Sequence, residues 1–417
     1  TLTATGSTTI SGPGAAGSTD VVSDATFSAG TYALSESAGP AGYTASGWSC
    51  IGGTQNGNQI TVGLGQSAVC TITNDDNAPS LTLVKTVTND NGGSAVATNW
   101  TLTADGPTDI SGAGGATSGA SFDAGTYALS ESTDPSGYAA GGWICVGGTQ
   151  NGASITVNLG ETATCTINND DIAPQLAVIK HVINDDGGVL GAGNFTMNVT
   201  GTNVSDDSFP GSETGITVSL NAGGYSVDEA TVSGYTKTLS ADCAGTIAVG
   251  QTKTCTITNN DQAAHLIVIK HVVNDNGGTE DANGFTMTIN GITAVSGNSF
   301  AGAESPGTDK TLSTVGVYSV TETGLTGYAA SYSSNCTGTI ALGETKTCTV
   351  TNDDVAPTLT LVKTVVNNDG GTKQIADFVL KVDGTPVTSG VPTTLSAGNH
   401  TASEINLTGY TPSVWGG

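Results

Sequence analysis

The chain has 417 residues, 60 of them Gly, with 5% aromatic residues and a net charge of −26 from 36 acids against 10 bases, all Lys. That balance speaks against nucleic acid and anionic membranes as partners and leaves cations as the natural counter-charge. No apolar run reaches the about 18 residues of a membrane span. No window holds a 3.6-residue apolar period, so the chain reads as all-β with many tight turns.

Residues 1–76 open on Thr1-Leu2-Thr3-Ala4, which matches Thr101-Leu102-Thr103-Ala104 further on. They read as a partial unit without its first strand. That strand appears next as Leu81–Val87 (LTLVKTV) and returns as Leu176–Val182 (LAVIKHV), Leu266–Val272 (LIVIKHV) and Leu359–Val365 (LTLVKTV). A period of roughly 90 residues is one small domain, not a solenoid unit. It predicts complete units at 78–171, 174–261 and 264–354, and a partial one at 357–417 that stops at Trp415-Gly416-Gly417. Both partial units make the chain a window on a longer array.

Within a unit the order is steady. After the Lys strand comes a turn such as Asn89-Asp90-Asn91-Gly92-Gly93, whose Asn-Gly or Asp-Gly steps supply positive φ. A strand (Asn99–Thr103, Phe195–Val199, Phe285–Ile289), a variable Gly/Ser-rich stretch and a Tyr-x-Val/Leu-x-Glu strand follow. Then come a Gly-Tyr pair, a Cys-bearing hairpin ending in Cys-Thr-Ile-Thr-Asn or a variant, and a short acidic connection. About seven short strands per unit predict a tandem array of Ig-like or transthyretin-like antiparallel β-sandwiches. End to end they would span on the order of 150 Å.

The 8 Cys fall one pair per unit: Cys50/Cys70, Cys145/Cys165, Cys243/Cys255 and Cys336/Cys348. The repeat favours these four local disulfides. Zinc fails because two Cys with no nearby His or third Cys do not fill a tetrahedral site. Disulfides place the chain outside the cytosol.

Side chains alternate along a strand. Leu81, Leu83, Lys85 and Val87 therefore share one face, as do Tyr127, Leu129 and Glu131, and Cys165, Ile167 and Asn169. The later units repeat this, so each complete one puts a Lys, a Glu and an Asn toward its core. Buried polar groups cost free energy unless they satisfy one another. These residues, with Glu36…Pro40-Ala41-Gly42-Tyr43 and Glu131…Pro135-Ser136-Gly137-Tyr138, resemble the transthyretin-like (prealbumin-like) repeat of bacterial surface proteins, the Cna-B or SpaA-type pilin domain. The resemblance implies that the Lys amine attacks the Asn carboxamide with help from Glu, giving an isopeptide bond and ammonia. By position the trios are Lys85/Glu131/Asn169, Lys180/Glu229/Asn259 and Lys270/Glu322/Asn352. The first unit has Glu36 and Asn74 but no Lys; the last has Lys363 and Glu404 but no Asn. The proline before Gly-Tyr is absent from the later units, and the disulfide hairpin departs from the family pattern. A buried Lys–Glu ion pair with Asn closing the strand end is the competing reading.

The acidic connections offer Asp75, Asp76, Asp170, Asp171, Asp353 and Asp354. Calcium, held by hard oxygens, is one reading of them and a solvated Pro-containing link is the other. His181, His265, His271 and His400 have no partner spacing and read as surface residues. Asn-x-Ser/Thr triplets at Asn99, Asn194, Asn198, Asn203, Asn335, Asn399 and Asn406 are weak glycosylation signals in so Thr-rich a chain. No Ser/His/Asp set, phosphate loop or recurring catalytic carboxylate pair points to an enzyme. The expected function is the structural repeat region of an extracellular or bacterial cell-surface filament or stalk, self-associating or continuing into further repeats. The alternative is an adhesin, for which Asn203–Thr217 is the one distinctive loop.

Overall fold

The computed structural model describes residues 1–14 and 21–416; Gly417 of the terminal Trp415-Gly416-Gly417 lies outside them. Among the described residues the regular structure is strand and short 3-10 turns, with no α-helix. Gly- and Thr-rich segments with β-branched alternation leave no apolar stripe for a helix to bury.

The repeat at residues 174–261 shows the plan. One sheet has the order Ile216–Ser219, Gln175–Ile183, Thr252–Asp261, Tyr235–Leu239. The other runs Ser208–Pro210, Thr196–Thr200, Gly223–Glu229, Ala244–Ile247. Their inner faces meet in one core of Leu176, Val178, Phe195, Met197, Tyr225, Val227, Cys255 and Ile257 with their neighbours. The repeats around Leu81 and Leu266 have the same two-sheet plan, each with its own core. The β-sandwich expectation holds, with one addition. The Lys strand and the Asn strand lie side by side in parallel: Ser80–Thr88 on Thr162–Asp171, Gln175–Ile183 on Thr252–Asp261, and Ala264–Val273 on Thr345–Asp354. The other pairings within these repeats are antiparallel. Parity assigns faces but does not name neighbours, so this contact is not readable from alternation alone.

The connections are hydrogen-bonded on both sides. Ile172 donates its N–H to Gly137 O at 2.8 Å, and its own carbonyl accepts from Gly250 at 2.7 Å. Asn77 does the same between Gly42 and Gly160, and Gln262 between Gly234 and Gly343. Gly137 has φ +86°, and a Cβ there would lie 2.4 Å from Val249 O, so this turn needs glycine for both conformation and space.

Candidate functional site: a buried Lys–Glu–Asn cluster between the terminal strands

Each trio is assembled from both sheets. Lys180 sits opposite Ile257, which places Asn259 two residues further along the parallel strand, opposite Val182. Glu229 ends the Tyr strand of the facing sheet, where it pairs with Met197. Lys85, Glu131 and Asn169, and Lys270, Glu322 and Asn352, hold the same register. Nine residues proposed from parity thus come together as three clusters. The Lys side chains are fully buried, and the Glu side chains are 10%, 1% and 2% exposed.

The clusters are not identical. In residues 78–171, Lys85 Nζ donates to Glu131 Oε2 at 2.9 Å and also to Asn169 Oδ1. Asn169 Nδ2 donates to Glu131 Oε1 at 3.0 Å and to Asp134 Oδ1, which also accepts from Trp100 Nε1 at 2.8 Å. In the next two repeats Lys180 and Lys270 lie 3.5 and 3.4 Å from their Glu carboxylates and donate only to backbone carbonyls. Both oxygens of Glu229 and of Glu322, both polar atoms of Asn259, and Asn352 Oδ1 are buried with no hydrogen-bond partner. Burial, only partly offset by the neighbouring Glu, pushes Lys180 and Lys270 below the ordinary lysine range, toward the neutral amine.

An aromatic ring lies beneath every one of these lysines. Nζ is 4.7 Å from the centroid of Trp100 for Lys85, 4.5 Å from Phe195 for Lys180, 4.3 Å from Phe285 for Lys270 and 4.4 Å from Phe378 for Lys363. The ring follows the Lys by 15 residues in all four units. That constant interval was the available sequence signal, and the sequence reading missed it. In the partial repeats Asn74 Nδ2 donates to Glu36 at 2.6 Å, and Lys363 donates to both oxygens of Glu404 at 2.8 and 2.7 Å.

The acidic connections supply a second recurring feature. Asp171, Asp261 and Asp354 follow the Asn by two residues on the same buried face. Asp171 accepts from the backbone N–H groups of Asp90, Asn91 and Gly93, which makes it the anchor of the turn after the Lys strand. Asp261 and Asp354 repeat this with Asp185, Asp186 and Gly188, and with Asp275, Asn276 and Gly278. The Gly-Tyr pair closes the same turn: Tyr138 donates to Asn89 Oδ1 at 2.5 Å, and Tyr235 to Asn184 at 2.7 Å. Among the described residues three oxygen groups could hold a cation: Asp90/Asp170/Asp171, Asp185/Asp186/Asp261 and Asp275/Asp353/Asp354. Asp75 and Asp76 belong to none of these groups and are exposed. His181 and His271 lie at the surface, paired with Glu213 at 2.9 Å and Glu304 at 3.0 Å.

Burial pushes the Asp171 carboxyl up, but the N–H groups of Gly93, Asn91 and Asp90 outweigh it and hold the acid below the ordinary range. A lowered folded-state pKa contributes stability above the unfolded value of about 3.9, and that contribution is lost as pH falls through the folded value. Asp171→Asn is therefore expected to lower the melting temperature at pH 7 and to flatten its decline below about pH 4. Thermal melts of both proteins across pH check this; parallel acid limbs would refute the anchoring role.

The sequence matches the family described as the prealbumin-like fold domain over residues 1–72, 76–167, 171–259, 261–355 and 353–417. The chain belongs to this family. No curated protein matches it in sequence. Its prealbumin-like repeats are similar to the Bacillus anthracis TIE protein at 16% identity and TM-score 0.43, over 79% of this chain and 61% of that one. They are also similar to the pilus adhesin SpaC of Lactobacillus rhamnosus GG, at 15% identity and TM-score 0.26, over 71% of this chain and 46% of that one. A third likeness is to two B repeat units of the collagen-binding protein of Staphylococcus aureus, at 13% identity and TM-score 0.19, over 80% of this chain and 94% of that one. The prealbumin-like repeats therefore span 61% and 46% of the first two proteins' own lengths.

Proposed function

We propose that this chain is the structural repeat region of an extracellular surface filament or stalk, and that its repeats are cross-linked internally by Lys–Asn isopeptide bonds as well as disulfides. The family membership and the four disulfides, Cys50–Cys70, Cys145–Cys165, Cys243–Cys255 and Cys336–Cys348, support a surface structural or adhesin role. The observation that carries the bond is the set of unpartnered buried atoms around Lys180 and Lys270. Each unsatisfied buried group costs about 1–3 kcal/mol. Joining Nζ to the Asn Cγ removes Nδ2 from the core and leaves one amide N–H to donate to the Glu.

In the proposed step a neutral Lys Nζ attacks Asn Cγ. The Glu carboxyl polarises the amide and carries the proton from Nζ to Nδ2, the Cγ–Nδ2 bond breaks, and ammonia leaves. Burial favours the neutral amine that this step needs at Lys180 and Lys270. Intact mass under reducing, denaturing conditions is expected to fall short of the sequence mass by one ammonia per complete repeat, at Lys85–Asn169, Lys180–Asn259 and Lys270–Asn352. An unmodified mass leaves the buried ion pair as the answer.

Calcium at the acidic turns is the second reading, and the N–H groups aimed at Asp171, Asp261 and Asp354 weigh against it. Such donor clusters favour anions. The melting temperature is expected to be the same with calcium and with a chelator. A calcium-dependent rise would reinstate the metal.

A further inference from the structure

We infer that the turn after each Lys strand locks the following repeat into a stiff joint, and that the buried Asp beneath that turn sets the lock. The parallel pairing puts the turn where it is needed. Ser80–Thr88 and Thr162–Asp171 run the same way, so both end on the side from which the chain continues. The first strand leads into the turn Asn89–Gly93, and the second into the connection through Ile172. That connection is one point of attachment, with Ile172 bonded to Gly137 behind it and to Gly250 ahead of it. One such point is a pivot; a second one beside it removes most of the swing.

The turn is the second point. Across the joint, Asn221 Nδ2 donates to the Asp90 carbonyl at 3.2 Å, and the Ala222 N–H donates to the Asn91 carbonyl at 2.8 Å. Asp171 decides how these peptide groups face. It draws the N–H groups of Asp90, Asn91 and Gly93 toward the inside of its own repeat. The carbonyls of Asp90 and Asn91 are left for the neighbour, and acceptors call for a partner that offers donors. Asn221 and Ala222 supply them.

The later joints repeat the arrangement. Asp261 holds the N–H groups of Asp185, Asp186 and Gly188, and Gly187 of that turn lies against Thr314 and Val315 of the next repeat. Asp354 holds those of Asp275, Asn276 and Gly278, and the Asn276 carbonyl accepts from the Ala397 N–H at 2.5 Å. The docking loop is in each case the one just before Gly223–Glu229, Gly316–Glu322 or Ala402–Glu404. Each contact leaves room for glycine only. A Cβ on Gly92 would lie 2.8 Å from Ala222 N, one on Gly187 2.9 Å from Thr314 Cα, and one on Gly277 2.6 Å from Ala397 O. Gly92 also has φ +88°, a conformation that Asn can take in a turn. Gly152 has φ +58° but nothing near the place of its Cβ. The two glycines therefore separate the demand of the backbone from the demand of the contact.

The joint stands whether or not Lys85 is linked to Asn169. Spin labels on Thr126→Cys and Thr246→Cys, exposed strand positions in the two repeats, report it in the 417-residue chain, whose own cysteines are all paired. Pulsed dipolar spectroscopy is expected to give one narrow distance distribution. Gly92→Asn, which wedges the turn away from Ala222, should abolish the narrow distribution and leave a broad one while both repeats still melt cooperatively. Gly152→Asn should leave it narrow. Asp171→Asn should broaden it from inside the repeat, in addition to its effect on melting. A broad distribution in the otherwise unaltered chain overturns the proposal, as does a narrow one that persists in a folded Gly92→Asn variant. Equal broadening by Gly152→Asn overturns it too, because turn strain and not the contact would then set the width. Should Gly92→Asn not fold, Asp171→Asn decides by the same outcomes.

Discussion

Glu229→Ala is expected to lower the melting temperature of its repeat by on the order of 20 °C, given the few degrees per kcal/mol typical of a domain this small. Removing one partner of a buried pair costs about 3–5 kcal/mol, because the other is left without compensation. Here the stranded group is Lys180, whose side chain is fully buried. On the proposed chemistry the same substitution removes the proton carrier, so the variant should keep the ammonia that the proposed bond would release. Glu229→Gln distinguishes support from chemistry. It preserves shape and hydrogen-bonding capacity, so its melting temperature should fall less, but it cannot shuttle a proton, so its mass should match the alanine variant's. A glutamine variant that still loses ammonia would show that Glu229 only props the site open. Calorimetry and intact mass on the same samples give both answers.

The second large effect concerns Phe195. Its ring is 2% exposed, stacks edge-on against Tyr235 at 5.6 Å and lies 4.5 Å beneath Lys180 Nζ. Phe195→Ala is expected to cost about 3–5 kcal/mol through lost burial and the cavity left behind. The hole would also admit water beside Lys180 and return its pKa toward the ordinary value, which would slow the proposed bond formation. Phe195→Leu fills most of the space without the π face. It should recover most of the stability in denaturant titration. A near-neutral Phe195→Ala would mean that the ring is not an essential wall of the site.

That ring marks the limit of reading by alternation. Lys85, Glu131 and Asn169 were legible because a charged or amide side chain at an inward position of a strand has to be answered by something. Alternation could not say that the first and last strands are parallel neighbours, because face and neighbour are independent properties of a strand. Asp171 was read as part of a linker although it lies two residues beyond Asn169 on the same face. Its partners are backbone N–H groups of a turn some 80 residues away, which have no side-chain signature. Asp134 is harder still. It touches Asn169 and Trp100 in one repeat, whereas Val232 and Leu325 stand three residues after the Glu in the next two, so repetition carries no trace of it.

The parallel pairing of Gln175–Ile183 with Thr252–Asp261 sets how such a repeat responds to being pulled. The chain enters at the start of the first strand and leaves at the end of its neighbour. Tension on the two ends therefore slides the strands lengthwise past each other and strains the whole ladder at once, in shear, instead of peeling it bond by bond. A link from Lys180 to Asn259 would shorten the load path further. Tension would run along Gln175–Lys180, cross once, and exit through Asn259–Asp261. Everything between residues 181 and 258, the disulfide included, would lie off that path and add no length when the array is stretched. An array of such units would behave as a cable of fixed length, not as a spring.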